Sequence, residues 1–182
     1  MQYNKTVRLK DKSDCLLRGC DENDAPAVLE IFNRTHAETE NLLTYAEENS
    51  FTVEGEAAFL KEKSESENSI EIGAFIDGIL VGFAGVDPIG SQIKIRHRAE
   101  FGISVEKAHW GKGVGKALTE AAIECAKKAG FSQLELEVVA ENESAVRLYQ
   151  SCGFMEYGSN PRGFRTKSGD YQALLLMRLI LD

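Results

Sequence analysis

The sequence predicts a single α/β domain, a mixed sheet with helices packed on it. Three observations carry that prediction: strand-like alternation and helix-like apolar stripes follow one another along the chain, two apolar runs are joined by Asp77-Gly78 as in a β-hairpin, and three glycines, Gly111, Gly113 and Gly115, sit between a strand pattern and a helix pattern. No internal repeat and no linker-like stretch interrupts this order, so one sheet is the economical arrangement. A chain of 182 residues buries roughly 70% of its extended-chain surface on folding, so the core needs neither disulfides nor a structural metal.

Residues 1–13 read as a polar lead-in and 14–182 as the domain. Residues 14–19 suit a short strand. Residues 21–36, DENDAPAVLEIFNRTH, suit a helix: Asp24 can cap it, Pro26 fits its first turn, and Val28, Ile31, Phe32 and Thr35 recur on one face. From Glu38 to Glu67 nine glutamates stand against Lys61 and Lys63, so nearly all of the formal charge of −8 lies there. Within that stretch residues 55–65 are helix-like, which leaves a long connection from His36 to Gly55; such connections are commonly functional loops or lids. IEIGAFI and ILVGFAGV form the hairpin, because Asp-Gly tolerates the positive φ of a type I′ turn.

Residues 93–105, IKIRHRAEFGISV, alternate as a strand, with Ala99, Phe101, Ile103 and Val105 on one face. A helix follows the glycines, its stripe made by Val114, Leu118, Ala121 and Cys125, and Gly130 ends it. LELEVV is a further strand; Asn142 caps a short helix carrying Ala145, Leu148, Tyr149 and Cys152; FMEYG and YQALLLMRLIL close the sheet, with GFRTKSGDYQ as a polar connection.

Composition excludes several functions. No apolar run approaches the ~20 residues that span a bilayer, and the N-terminus has charges without the apolar stretch of a secretory signal, so a cytoplasmic protein with no membrane partner is expected. A net negative chain lacks the basic stripe that nucleic acid requires. Cys15, Cys20, Cys125 and Cys152 form no C-x-x-C pair and read as reduced core thiols. His36, His97 and His109 have no second ligand at helical spacing, so each reads as structural and no metal is expected.

The segment HWGKGVGKAL, residues 109–118, is the most informative. Glycines let the backbone turn with its amides exposed, and a helix start adds partial positive charge, so several N–H groups converge on an anion such as a phosphate. Two nucleotide-binding loops fail on spacing. A Walker loop needs Gly in place of Trp110 and Ser or Thr in place of Ala117, and a dinucleotide fingerprint starting at Gly111 needs Gly in place of Lys116.

EFGISV, HWGKGVGKAL and VVAENESAVRLYQSCGF, in this order and spacing, resemble the GNAT superfamily of N-acetyltransferases over roughly residues 70–180. Trp110 stands where the family has Gln or Arg, while Gly113 and Gly115 match. The resemblance implies a single-domain GNAT-type fold with a mixed, mostly antiparallel central sheet flanked by helices. It also implies acetyl-CoA as co-substrate, pyrophosphate over Gly111, Lys112, Gly113, Val114, Gly115 and Lys116, and pantetheine along Ile103, Ser104 and Val105. A strand that diverges from its neighbour leaves unpaired groups that an amide-bearing arm can satisfy, and an N–H near Val105 can polarise a thioester carbonyl. Asn142 is both a helix cap and, by the resemblance, a neighbour of the cofactor arm.

Acetyl transfer from sulfur to nitrogen needs a neutral amine and a proton for the departing thiolate. Tyr149 occupies the family position that supplies this proton. Glu100 and Glu137 are the strand carboxylates that can take a proton from the amine, with Glu100 preferred and Arg98 and Lys94 as its available ion-pair partners. Tyr157, Arg162 and Tyr171 are candidate acceptor contacts. The expected acceptor is a primary amine, of a small molecule, polyamine, protein or peptide, cationic elsewhere because the 38–67 acidic segment falls where this family walls the acceptor. A monomer or homodimer is expected. The alternative is a non-catalytic module that binds acetyl-CoA as a sensor or scaffold.

Overall fold

The computed structural model describes residues 1–181. Among these, eight strands form one open sheet in the order β1-β2-β3-β4-β5-β6-β8-β7. The strands are β1 (Asn4–Arg8), β2 (Asp14–Gly19), β3 (Ile70–Ile76), β4 (Ile79–Pro88), β5 (Arg98–Val105), β6 (Gln133–Val139), β7 (Met155–Arg165) and β8 (Tyr171–Ile180). Four helices accompany them: α1 (Ala25–Glu38), α2 (Val53–Glu65), α3 (Val114–Lys128) and α4 (Glu143–Ser151). Every neighbouring pair is antiparallel except β5 and β6, the predicted mixed sheet.

The helix patterns become two separate cores. Val114, Leu118, Ala121 and Cys125 of α3 pack with Leu17, Ile72, Ala84, Phe101 and Leu134 of the strands. Val28 and Ile31 of α1 and Leu60 of α2 pack with Phe75 and Leu80 of the hairpin. At the hairpin tip Asp77 and Gly78 take φ of 50° and 80°, as the type I′ reading requires.

Four expectations need correction. The 1–13 lead-in contributes β1, an edge strand paired with β2, because Lys5 and Tyr3 anchor it on Glu124 of α3. Asp24 stands at the N-cap of α1 without capping it, since both its oxygens take the Arg18 guanidinium at 2.7 Å. The 93–105 strand starts only at Arg98; residues 93–97 turn, with Ile95 and Arg96 amides donating to the Gln92 carbonyl. The polar connection after FMEYG is shorter than expected, because β7 runs on through Arg165 and pairs with β8. No helix among the described residues is long and apolar enough to cross a membrane.

Candidate active site

The parallel pair β5 and β6 is registered over three positions only, ending at Glu100 opposite Glu135. Beyond it each strand stays bonded on its outer side, β5 to β4 as far as Val105 and β6 to β8 as far as Val139. The inner sides therefore splay. The phase of the ladder identifies the free groups: the Glu106 amide donates to the Val81 carbonyl, and antiparallel hydrogen-bonded pairs alternate, so Ile103 and Val105 turn their backbone groups away from β4. An extended amide-bearing arm can take the place of the missing strand there.

A cleft of about 950 Å³ opens at this splay. Glu100, Ile103, Ser104, Val105, Gly111, Gly113, Gly115, Lys116, Asn142 and Tyr149 all border it. Lys112 and Val114 do not: the Lys112 carbonyl accepts the Lys10 amide at 3.0 Å, and the Val114 side chain is sealed in the core. Gly111 and Gly113 have φ of 76° and 102°, and Gly113 is the N-cap position of α3. The loop therefore ends at a helix start with two residues in the left-handed region, which fits the phosphate cradle. With the free groups of β5 beside it, the site fits acetyl-CoA.

A Cβ on Gly113 would approach the Lys10 side chain no closer than 3.6 Å, so valine there is opposed by backbone conformation rather than by space. Gly113→Val is expected to destabilise the fold by about 1–2 kcal/mol and to weaken acetyl-CoA binding more than tenfold, as calorimetric titration beside a denaturant melt would measure. Unchanged affinity would remove the loop from the cofactor site.

Trp110, the departure from the family pattern, is fixed by a hydrogen bond of its own, its indole N–H donating to the Val105 carbonyl at 2.7 Å. Asn142 caps α4, its side-chain oxygen accepting the Ala145 amide at 3.3 Å. Tyr149 is both a core aromatic and a cleft residue. Its ring meets Phe101 edge-on with centroids 6.1 Å apart and lies 6.0 Å from that of Phe154. Among the described residues its hydroxyl has no hydrogen-bond partner, yet no sealed side-chain oxygen or nitrogen there lacks one, so the hydroxyl remains open to the cleft. Burial pushes this phenol above its ordinary range, and Cys152 adds to the shift.

Glu100 is exposed on the cleft wall without an ion-pair partner among the described residues, because Arg98 turns to Glu135, binding it through two nitrogens, one of them at 2.7 Å. That guanidinium holds the Glu135 carboxyl below its usual range, and Tyr157 donates to the same group at 3.2 Å. Glu137 also borders the cleft. Of the acceptor contacts expected from the last connection, Tyr157 reaches the cleft, whereas Arg162 stacks over Tyr171 at 4.9 Å and neither lines it; Phe164 does.

The acidic segment needs correction too. Thr39, Asn41, Leu42 and Leu43 line the cleft, but none of the nine glutamates does. Glu38 accepts the Lys107 amide, Glu40 the Tyr45 hydroxyl, Glu48 the Tyr45 amide, and Glu47 pairs with Lys167. The carboxylates at the cleft come from the sheet instead.

Two features are not evident from the sequence. Lys63 of α2 reaches Glu71 at 2.8 Å and Asp87 at 2.7 Å, and all three border the cleft. Burial opposes charge on Lys63, but the two carboxylates outweigh it and raise its proton affinity; burial raises that of Glu71 as well. A glutamate inside the apolar strand IEIGAFI is the available signal, since a charge in such a run needs a partner. The second is His36, which lines the cleft from α1 although its sequence context reads as structural. No group of three or more His, Cys, Asp or Glu among the described residues could hold a metal ion.

Comparison with known proteins agrees with this geometry. Residues 26–154 match the model of the Acetyltransferase (GNAT) family. The chain is 32% identical over 114 residues to the N-alpha-acetyltransferase RimI of Mycobacterium tuberculosis, covering 63% of this chain and 69% of that protein. It is 27% identical over 180 residues to an L-methionine sulfoximine/L-methionine sulfone acetyltransferase of Salmonella typhimurium, covering 97% and 95%. A 34% identical match to an uncharacterized protein of Mycobacterium leprae covers 63% of this chain but only 30% of that longer protein. Among solved structures, a GNAT-family acetyltransferase of Streptococcus pneumoniae superposes with a TM-score of 0.87 at 30% identity, covering 91% and 99% of the two chains. A Salmonella typhimurium protein described as a putative acetyltransferase, solved with its cofactor acetyl-CoA, shares the fold with a TM-score of 0.82 at 24% identity, covering 93% and 95%. The glycine loop, the splayed strands and the 26–154 match thus lead to one assignment: the chain belongs to the GNAT family of N-acetyltransferases, enzymes that use acetyl-CoA.

Proposed function

We propose that this chain acetylates a primary amine by direct attack, and that the acceptor carries a second positive charge. The observation that carries the reading is the splay after Glu100, where Ile103 offers its backbone groups and Val105 its N–H beside a glycine loop at a helix start. Bound there, acetyl-CoA supplies the acetyl group as a thioester. The Val105 N–H is positioned as a donor for negative charge that develops on an acyl oxygen. Tyr149, protonated across the working pH range, donates its O–H toward the departing sulfur, and Glu100 takes a proton from the nitrogen.

A cationic acceptor is supported by charge. Glu100 and Glu137 are exposed on the cleft walls without ion-pair partners among the described residues, and the net charge of −8 gives the chain a negative potential that favours a cation. Two relatives act, by their names, on α-amines and on amino-acid analogues, which supports an amine of peptide or amino-acid type.

A library of amines assayed by release of free CoA tests the reading, with matched neutral and cationic members at low and high salt. Cationic amines are expected to be turned over with the higher kcat/KM, and that preference should shrink as salt brings the screening length to about 8 Å or less. A preference for neutral or anionic amines would remove the second charge from the proposal. Tight acetyl-CoA binding with no CoA release for any amine would favour a sensor module.

A further inference from the structure

An amine that arrives as an ammonium must lose two protons, one before its lone pair can attack and one after the C–N bond forms. Glu100 accounts for one of them. We infer that His36 accepts the first proton, through Nε2, from the incoming ammonium. The inference rests on the acetyltransferase reading above.

Geometry carries it. α1 turns Phe32, Thr35 and His36 toward the cleft, and Thr39, which follows the helix, borders it too. The same turn is tied to the end of β5 on both sides of His36: Arg34 pairs with Glu106, and the Glu38 carboxylate accepts the Lys107 amide at 2.7 Å. His36 is thereby held beside the segment that follows Val105, where the acyl group is expected.

The imidazole is also set in one tautomer. Its Nδ1 lies 2.7 Å from the Phe32 carbonyl, and a carbonyl oxygen can only accept, so Nδ1 carries the hydrogen and Nε2 a bare lone pair. The ring is stacked on Phe32 with centroids 3.7 Å apart, which restrains its rotation. His36 is only 8% exposed, and Nε2 has no hydrogen-bond partner among the described residues. Because no sealed polar side-chain atom among the described residues lacks a partner, Nε2 is open, and the space that His36 borders is the cleft. An unpartnered acceptor, nine-tenths buried and kept in one tautomer, is a base without another structural use.

The elements packed on α1 carry other charged groups. They include Lys63 of α2, paired with Glu71 and Asp87, with Glu54, Glu56, Lys61, Glu62 and Glu65 on the same helix; Asp87 of β4; Glu100 and Arg98 of β5, the latter paired with Glu135; Glu47 and Glu48 of the 3₁₀ turn Ala46–Glu48, engaged by Lys167 and the Tyr45 amide; and Glu22 and Asp24 of the turn before α1, at the far end of the helix. None of them sets the proton affinity of His36. Burial lowers it, against the Phe32 hydrogen bond, so the ring is neutral at pH 7.

The step balances. One N–H bond of the ammonium breaks, its electron pair stays on the amine nitrogen, the proton bonds to Nε2, and the imidazolium returns it to solvent through the open cleft. No oxidant, reductant or metal is needed.

His36→Gln tests it by a pH profile of kcat/KM on the best amine of the library. Wild-type protein should show an acid limb below the ordinary histidine value of about 6.5. The variant should lose at least roughly 100-fold at pH 7, gain tenfold per pH unit toward the pKa of the amine, and approach wild type beyond it, with acetyl-CoA affinity unchanged. A variant with the wild-type profile overturns this inference and leaves the acetyltransferase reading standing, whereas a wild-type protein that turns over no amine overturns both. Should the variant fold poorly, nitrogen-resolved NMR of histidine-labelled wild type at pH 7 decides instead. A neutral Nδ1–H ring whose Nε2 signal responds to added amine supports the role; an Nε2–H ring, or no response, ends it.

Discussion

Lys63→Met is expected to cost about 3–5 kcal/mol of stability at pH 8, because it strips from two buried or half-buried carboxylates, Glu71 and Asp87, the one cation that pairs with them among the described residues. In a chain of this size that corresponds to a fall in Tm of roughly 6–20 °C. The pH dependence distinguishes this mechanism from lost packing. Burial raises the proton affinity of Glu71 and of the neighbouring Glu56, and in the variant Lys63 no longer counters it. A carboxyl whose folded pKa exceeds its unfolded value binds more protons when folded, so its contribution favours the fold at low pH and is lost as pH rises through the folded pKa. The gap between variant and wild type should narrow from pH 8 to pH 5, as denaturant melts at the two values would record. A gap that stays constant, or stays under 1 kcal/mol, would refute the buried-charge account.

Much of the fold was legible because its local signals agree with one another. The Asp77-Gly78 turn needs only two residues to specify it, and the stripes of α1 and α3 each meet a face of the sheet. The misread segments depend on partners distant in sequence. Nothing local marks residues 4–8 as a strand, since the reason lies in Glu124. Asp24 has the right position for a cap, and Arg18 takes its oxygens. At the site, the turn at Gly111 and Gly113 was legible from the glycine spacing and the place of Tyr149 on the cleft wall from the family resemblance, whereas the Lys63 cluster and the His36 tautomer arise where α2 and α1 meet the sheet. The acidic segment shows the opposite case: a strong signal in sequence from which no carboxylate lines the cleft, with Glu38, Glu40, Glu47 and Glu48 engaged in contacts elsewhere.

Tyr149→Phe should lower kcat by about 10²–10⁴ while leaving acetyl-CoA affinity and the melting temperature near wild type. The ring stays, with its contacts to Phe101 and Phe154, and only a hydroxyl that bonds to none of the described residues is lost. Because burial raises the phenol above its ordinary value of about 10, no alkaline limb of the pH profile below that value should belong to Tyr149. Single-turnover kinetics with a calorimetric titration would separate the two effects. An undiminished kcat would return Tyr149 to a packing role.

Trp110 is the chain's only tryptophan, about half exposed, with its indole N–H committed to the Val105 carbonyl. Indole emission is sensitive to hydrogen bonding and to local water, and a single fluorophore makes the emission of the whole protein the report of one place. That place is the junction of β5 with the glycine loop. The residue that departs from the family pattern therefore equips the protein with an intrinsic optical probe of events at that junction, with no label attached.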